Sequence, residues 1–371
     1  MDKYITRIKS LIPDFDEAYI GEPFDRARID SMDLLTIRVE FENMTGGEFS
    51  DKDWLTFNSL ADIISYCKAN NSRGNGHELS LNSETAGRKR IKINMPQMAI
   101  GALSENWLFK EMGDTHWDLL CRGLNTESLQ LKDEGGNRLY ATFVRIRMQS
   151  TLSLDHYMEN DELEMQSSIM RFGNGMYFSD ISLGGLNGKI NTSLMTSFSI
   201  RNETDNTRLV KSQPAPAANT IEEYTEGPLF GNEYRLVKKG VNKELLLEGE
   251  RFVINDEALF TTSYDLNPYY DLNGVGLLYF AAYPIINNTC EARFFNKPDS
   301  GSRWEQDYHV IARDVFYFAN CNINERIKYV LNGCEFIDKG RVKVSSSLYR
   351  ESDGMLMARI FTIKKKQNEI G

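Results

Sequence analysis

Apolar residues change their spacing near residue 80, and the change separates two kinds of structure. Tyr4, Ile5, Ile8, Leu11 and Ile12 recur at helical spacing until Pro13. After a polar loop through Glu22-Pro23, Met32, Leu35 and Val39 form one stripe and Leu34, Ile37 and Phe41 a second. Two stripes are too wide for an isolated surface helix, so this segment must pack on neighbours. Alternation from Leu35 to Phe41 also suits a strand, and helix is the preferred reading. Gly46-Gly47 break the segment, and Asn58-Ser59 with Asp62 resembles a capping box before Leu60, Ile63, Ile64 and Cys67. Residues 1–70 are therefore expected to form a small bundle of short helices.

Residues 69–77, Ala-Asn-Asn-Ser-Arg-Gly-Asn-Gly-His, read as a linker. At 3.3–3.6 Å per residue it spans at most about 35 Å. Beyond residue 90 the pattern becomes long strands with one helix per unit. Leu103, Trp107, Leu108 and Met112 line a helix that Gly113 is expected to stop. Leu129–Leu131, the turn Asp133–Gly136 and Leu139–Met148 read as a hairpin, with more strands at Glu162–Met170, Met176–Leu183 and Ser193–Ile200. The plan then repeats. Strands are expected in Glu250–Thr262, Asp314–Asn320, Arg326–Leu331, Arg341–Ser347 and Met357–Lys364, with a helix beginning at Leu277. The expected organisation is a helical domain over 1–70, a linker over 71–77, and two similar units over 78–210 and 211–371. The class is α+β: a small helical bundle followed by a duplicated strand-and-helix body.

Charge sharpens this division. The chain carries a net charge of −10, which argues against nucleic acid or anionic membrane as the main partner. Residues 1–70 hold 14 acids and 8 bases, so an acidic small domain precedes a nearly neutral body. Five scattered cysteines without CxxC spacing suggest reduced thiols, and no apolar run reaches signal-peptide or membrane-span length. The expected location is the cytoplasm.

The order of helices in residues 1–70, with Asp30-Ser31-Met32 opening an acidic segment, resembles an acyl carrier protein. The usual signature is Asp-Ser-Leu, and Met32 is a conservative variant. The resemblance implies that Ser31 carries 4′-phosphopantetheine, attached by a phosphopantetheinyl transferase, with an acyl group held as a thioester on the arm. A phosphate diester at a helix N-terminus suits the helix dipole. The plainer use of Ser31 is as an N-cap.

The segment Asp271-Leu272-Asn273-Gly274-Val275-Gly276-Leu277-Leu278-Tyr279-Phe280 resembles the loop and helix start of hot-dog acyl-CoA thioesterases. Aligned on Gly276, their catalytic carboxylate falls on Asn273, an amide that can hydrogen-bond but cannot act as nucleophile or base. The N–H groups of Val275, Gly276 and Leu277 would polarise a thioester carbonyl. Loop-forming roles for Asp271 and Asn273 are the alternative. Gln97, Ser104, Glu111, Asp114 and His116 are the polar members of the matching segment in the first unit. Ser104 reads as a helix cap, and His116 beside Trp117 as either a buried structural histidine or a catalytic one. No HExxH, GxGxxG or metal-ligand spacing occurs.

Met95-Pro96-Gln97-Met98, Leu103–Leu108, Gly113-Asp114-Thr115-His116-Trp117 and Asn267–Pro284 together resemble the double hot-dog acyltransferase/decarboxylases of polyketide biosynthesis, of the leinamycin type. The resemblance spans roughly residues 80–365. It implies a double hot-dog fold and an enzyme that takes methylmalonyl-CoA or malonyl-CoA, decarboxylates it, and loads propionyl or acetyl on a carrier. Other polyketide synthase components are the implied partners. The family's active-site tyrosine has no matching motif here, and Tyr279 and Tyr270 are candidates by location. The candidate catalytic set is Asn273, Asp271, Tyr279, His116 and Gln97. Alternatives are a thioesterase, a dehydratase pairing His116 with Asp271, and a non-catalytic acyl-binding module. The carrier can be served by its own chain if the site faces it, or by the other chain of a homodimer.

Overall fold

The computed structural model describes residues 4–5, 8–9, 12, 15–24, 26–27, 29, 33–34, 37–38, 41, 49, 54, 56–71 and 85–367, apart from 174, 187, 202–204, 216–218, 225–227, 297–302 and 339. Two compact units divide the chain, Met1–Ser80 and Leu81–Gly371. Ser31, with Asp30 and Met32, lies outside the described residues, as do linker residues 72–77.

In the first unit, helix α1 (Leu60–Asn71) begins at the expected capping box. Asp62 Oδ2 accepts from the N–H groups of Asn58 and Ser59, both at 2.9 Å, and Ser59 Oγ accepts from Asp62 N at 3.3 Å. The Asn58 bond leads in holding the Asp62 carboxyl below its usual range. Leu60, Ile63, Ile64 and Cys67 bury their side chains with Tyr4, Ile8, Ile37 and Phe41. Asp33, Leu34, Ile37, Arg38 and Phe41 are helical, which favours helix over strand for that segment.

The second unit is organised by one antiparallel sheet. Its long strands are β1 (Ala86–Lys92), β2 (Leu139–Ser150), β3 (Glu162–Phe172), β4 (Met176–Gly184) and β5 (Lys189–Ile200). A small hairpin, β6 (Glu244–Leu247) and β7 (Glu250–Val253), stands apart from the sheet. The sheet resumes with β8 (Phe260–Asp265), β9 (Tyr308–Tyr317), β10 (Arg326–Phe336), β11 (Arg341–Arg350) and β12 (Leu356–Lys366). Across the sheet the order is β1-β3-β4-β5-β2-β9-β12-β11-β10-β8. Each half thus has the same internal order, and the halves join edge to edge through β2 and β9. One long helix lies between the first and second strands of each half: α2 (Glu105–Gly123) and, after the short α3 (Leu229–Lys238), α4 (Ala282–Phe295).

Alternation along the strands sorts the core into layers. Val315 and Ile360 face the cluster holding α2 and α4. Their neighbours Phe316 and Phe361 face α3 and the β6–β7 hairpin. Three expectations need correction. Leu129 and Gln130 lie in a single 3₁₀ turn, not a strand. Helix α2 runs through Gly113, because this glycine is a packing notch: a Cβ there would come within 2.1 Å of Phe280 Cζ. Helix α4 starts at Ala282, not Leu277. From Leu277, Pro284 would fall in the helix interior and remove an i→i−4 bond; from Ala282 it falls in the first turn, where none is required.

The seam between the halves carries buried charge. Asp314 on β9 accepts from Arg145 Nε and Nη2 at 3.0 and 2.7 Å and from Arg147 Nε at 2.7 Å. Arg145 is fully buried, with its guanidinium 4.2 Å from the ring centres of both Phe230 and Phe316. Burial alone would raise the Asp314 carboxyl, but the two arginines hold it below its usual range. Among the described residues no helix is long and apolar enough to cross a membrane. Replacing Asp314 by Ala removes the fully buried carboxylate and leaves Arg145 and Arg147 with Glu233 as their remaining carboxylate partner, and removing one partner of a buried ionic pair typically costs about 3–5 kcal/mol. Chemical denaturation of Asp314→Ala should show a loss of that size; a loss below about 1 kcal/mol would mean the seam does not depend on this pair.

Candidate functional site

The loop leading into α4 gathers most of the candidate residues. Asn267 caps a single turn, Pro268–Asp271, its side chain accepting from Tyr269 N at 3.1 Å. In return Asn267 N donates to Asp271 Oδ2 at 2.7 Å. The other Asp271 oxygen accepts from the hydroxyl of Tyr264, on β8, at 3.4 Å. Only 2% of Asp271 is exposed. Burial raises its pKa, and the bonds from Asn267 and Tyr264 only partly oppose the rise. Burial first, then the adjoining Asp271, pushes the Tyr264 phenol up to about 12. The pair therefore joins a sheltered carboxyl to a phenol that stays protonated.

Asn273 organises the backbone around it. Its Oδ1 accepts from Val275 N at 3.1 Å and Leu277 N at 3.0 Å, and its carbonyl accepts from Gly276 N at 2.9 Å. The three N–H groups expected to face a thioester carbonyl are thus engaged within the loop. Gly276 supplies the left-handed φ of 77° that the turn requires. Asn206 holds the turn from outside, donating to Gly276 O at 2.7 Å, and Asn320 bonds Leu278 through both its N–H and its carbonyl.

Tyr279 closes the loop, its N–H donating to Asp271 O at 2.8 Å. Its ring lies under Lys110 Nζ at 5.9 Å, and burial raises its phenol pKa. Asp271, Asn273 and Tyr279 therefore share one hydrogen-bonded loop, while Tyr270 is 75% exposed beside it. Two other candidates are engaged elsewhere. Gln97 Oε1 accepts from Asn94 N at 2.9 Å, within its own turn. His116 is fully buried, with Nδ1 at 2.7 Å from Ser179 Oγ and Nε2 at 2.8 Å from Thr196 Oγ1. Ser104 caps α2, accepting from Trp107 N at 3.3 Å. Among the described residues no group of His, Cys, Asp and Glu is arranged to hold a metal ion.

Sequence reasoning missed Tyr264. It belongs to a different element from Asp271, and no motif spacing links a strand tyrosine to an aspartate one turn past the strand's end. The available signal was its polar head in an otherwise half-buried strand face.

A segment of the chain is similar to two curated proteins, each named acyl carrier protein homolog. Identity to the Mycoplasma genitalium protein is 34% over 62 residues, covering 17% of this chain and 74% of the relative. Identity to the Mycoplasma pneumoniae protein is 30% over 66 residues, covering 18% and 79%. Through that segment, the chain belongs to the acyl carrier protein family. No family model matches the chain. The acyl carrier segment accounts for less than a fifth of the length, and solved structures account for the fold of much of the rest. A Lactobacillus plantarum protein described as an oleoyl thioesterase superposes with a TM-score of 0.54 at 10% identity, covering 78% of this chain and 99% of its own. The 12:0-ACP thioesterase of Umbellularia californica gives 0.51 at 12% identity, covering 78% and 97%. An acyl carrier family segment and a hot-dog thioesterase fold thus occur in one chain.

Burial drives the His116 pKa from 6.5 down to about 3, so the fold binds the neutral ring. Its stabilising contribution is complete above pH 6.5 and is lost as pH falls towards 3. The stability difference between wild type and His116→Asn should narrow from pH 7 to pH 5, measured by denaturation at each pH. A difference that does not change with pH would place the proton elsewhere.

Proposed function

We propose that this chain is an acyl-thioester enzyme that works with a phosphopantetheinyl carrier, its own Ser31 included. The observation that supports this most directly is the union of an acyl carrier family segment with a hot-dog thioesterase fold. The finer reading is a polyketide-type acyltransferase/decarboxylase that takes malonyl-CoA or methylmalonyl-CoA and loads acetyl or propionyl on the carrier. Attachment at Ser31 fits the described residues that follow it, since Asp33, Leu34 and Ile37 are helical and Ile37 is buried in the core. The 4′-phosphopantetheine thiol would supply the acyl acceptor, its new thioester bond replacing the one to CoA, which leaves as the free thiol.

The protein's share of the chemistry centres on Asp271 and Tyr264. Decarboxylation breaks the bond between the α-carbon and the carboxylate, and its electron pair remains on the thioester as an enolate. That carbon then needs a proton. A sheltered carboxyl with a raised pKa, hydrogen-bonded to a phenol, can deliver one and recover it from solvent. Asn273 holds the loop in shape, and Tyr279 ties its end to the Asp271 backbone. Thioester hydrolysis is the second reading, favoured by the same carboxylate, which could instead take a proton from an attacking water. The similar structures bear thioesterase names.

Intact-mass measurement after treatment with a phosphopantetheinyl transferase and CoA should show one added arm, absent in Ser31→Ala. Arm-bearing protein given methylmalonyl-CoA should release CO₂ and gain a propionyl mass. Free CoA without acyl transfer would favour hydrolysis, and saturable binding without turnover would leave a non-catalytic module. Asp271→Asn should reduce turnover by about 10²–10⁴-fold with the fold intact, the usual contribution of a positioned acid–base group. An unchanged rate would remove Asp271 from the chemistry.

A further inference from the structure

The loop at 267–279 ends on a plug of aromatic rings. Phe280 follows Tyr279 directly, so its Cα lies one residue, about 3.8 Å, beyond the residue whose N–H bonds Asp271 O. Its ring is 9% exposed and fills the notch that Gly113 leaves on α2. On its other side Phe143 of β2 stacks on it, ring centres 3.9 Å apart and planes 29° apart. His116 backs Phe143 at 5.6 Å and is itself fixed by Ser179 and Thr196. The backbone around the ring is tied down too. Tyr317 Oη donates to Phe280 O at 3.1 Å, and Asn106 Nδ2 to Ala281 O at 3.1 Å. Side chains therefore fill the region inward of the loop, between α2, α4 and the sheet, in three successive layers.

We propose that Phe280 is the specificity-determining residue for acyl length, and that this protein takes short acyl groups in preference to long ones. The proposal rests on the reading of the 267–279 loop as the acyl site. On that reading, an acyl chain that runs from the loop towards α2 meets the Phe280 ring, which follows directly on the loop's last residue. The ring is held at two places: its Cζ tip stands at the Gly113 notch of α2, and Phe143 covers one face. Displacing it would break a packed contact for each further methylene gained, and a single misfitted methylene changes specificity by about tenfold or more. The selectivity is set by packing, not by charge, so it should act alike on simple and on carboxylated acyl groups.

The test uses the full chain with two series of CoA thioesters, simple acyl from acetyl to octanoyl and 2-alkylmalonyl from methyl to hexyl. Acyl transfer and CoA release are both recorded. Wild type should act on the shortest members at least about tenfold faster, as kcat/KM, than on those with six or more carbons. Phe280→Ala should narrow or reverse that ratio by a similar factor while thermal melting shows a folded protein. Phe143→Leu, which removes the second ring and leaves Phe280 in place, covers the case where Phe280→Ala does not fold and should lengthen the preference less. If wild type acts on octanoyl-CoA as fast as on propionyl-CoA, or if both folded variants keep the wild-type length profile, the plug does not set acyl length. In that case a loss of turnover in Asp271→Asn would still uphold the loop as the site. If Asp271→Asn retains full turnover at every length, or wild type acts on none of the thioesters, the loop reading itself falls and takes this proposal with it.

Discussion

The second unit depends on the pairing of β2 with β9. Each half alone would leave an exposed strand edge, ready to pair with another chain. Joining the two edges removes both and makes one continuous sheet, with Arg147 opposite Asp314 in register. Buried charge is a costly way to hold a seam, and packed hydrophobic residues often do as well. Its gain here is direction: Arg145 and Arg147 both aim at one carboxylate, and Glu233 on α3 accepts from both as well. The seam also brings the first turn of α2 against the second turn of α4. Glu105, at the start of α2, reaches Arg313 on β9 and Asn288 on α4. One residue on, Asn106 of α2 donates to Ala281 O at 3.1 Å, which fixes the end of the loop that enters α4 against α2.

Much of this architecture was legible in the chain. The 3.6-residue period around α1 and its capping box, the alternation along the strands, and the repetition of one strand-and-helix plan all come from local side-chain chemistry. The errors share a cause. Gly113 reads locally as a helix stop, since glycine is the commonest terminator, but its role is set by Phe280, far along the chain. Leu277-Leu278 reads as a helix start, but Asn273 and Asn320 bind the backbone into a turn first. In both cases a contact distant in sequence outweighs a local preference.

The candidate site was legible in part for the same reason. Asp271, Asn273 and Tyr279 lie close in sequence, so a single segment could suggest them. The side-chain partner of Asp271 does not: Tyr264 sits on a strand, and only the fold turns its hydroxyl towards the carboxyl. His116 is the converse case. Its place in the segment matching the Asp271 loop made it a candidate, and its two hydroxyl partners on β4 and β5 show a ring used to tie a helix to a sheet.

That use has a counterpart in the other half, and the comparison bears on where the chemistry lies. In the first half α2 reaches the fourth and fifth strands through His116, by way of Ser179 and Thr196. In the second, α4 reaches the fourth strand through Asn287 and Ser346 and the fifth through Glu291 and Lys364. Each half thus ties its long helix to the same two strands with different chemistry, and burial holds the Lys364 ammonium below its usual pKa. The loops ahead of the two helices diverge further. Before α2 the polar side chains are used locally, Gln97 on Asn94 and Ser104 on Trp107. Before α4 the corresponding loop holds a buried carboxyl whose second oxygen is bound by a strand tyrosine. A duplicated fold offers two such loops, and the second holds the carboxyl that the proposed chemistry needs. The first half then acts as the wall against which the second half's loop is set, with Gly113 and Phe143 shaping the surface that Phe280 meets.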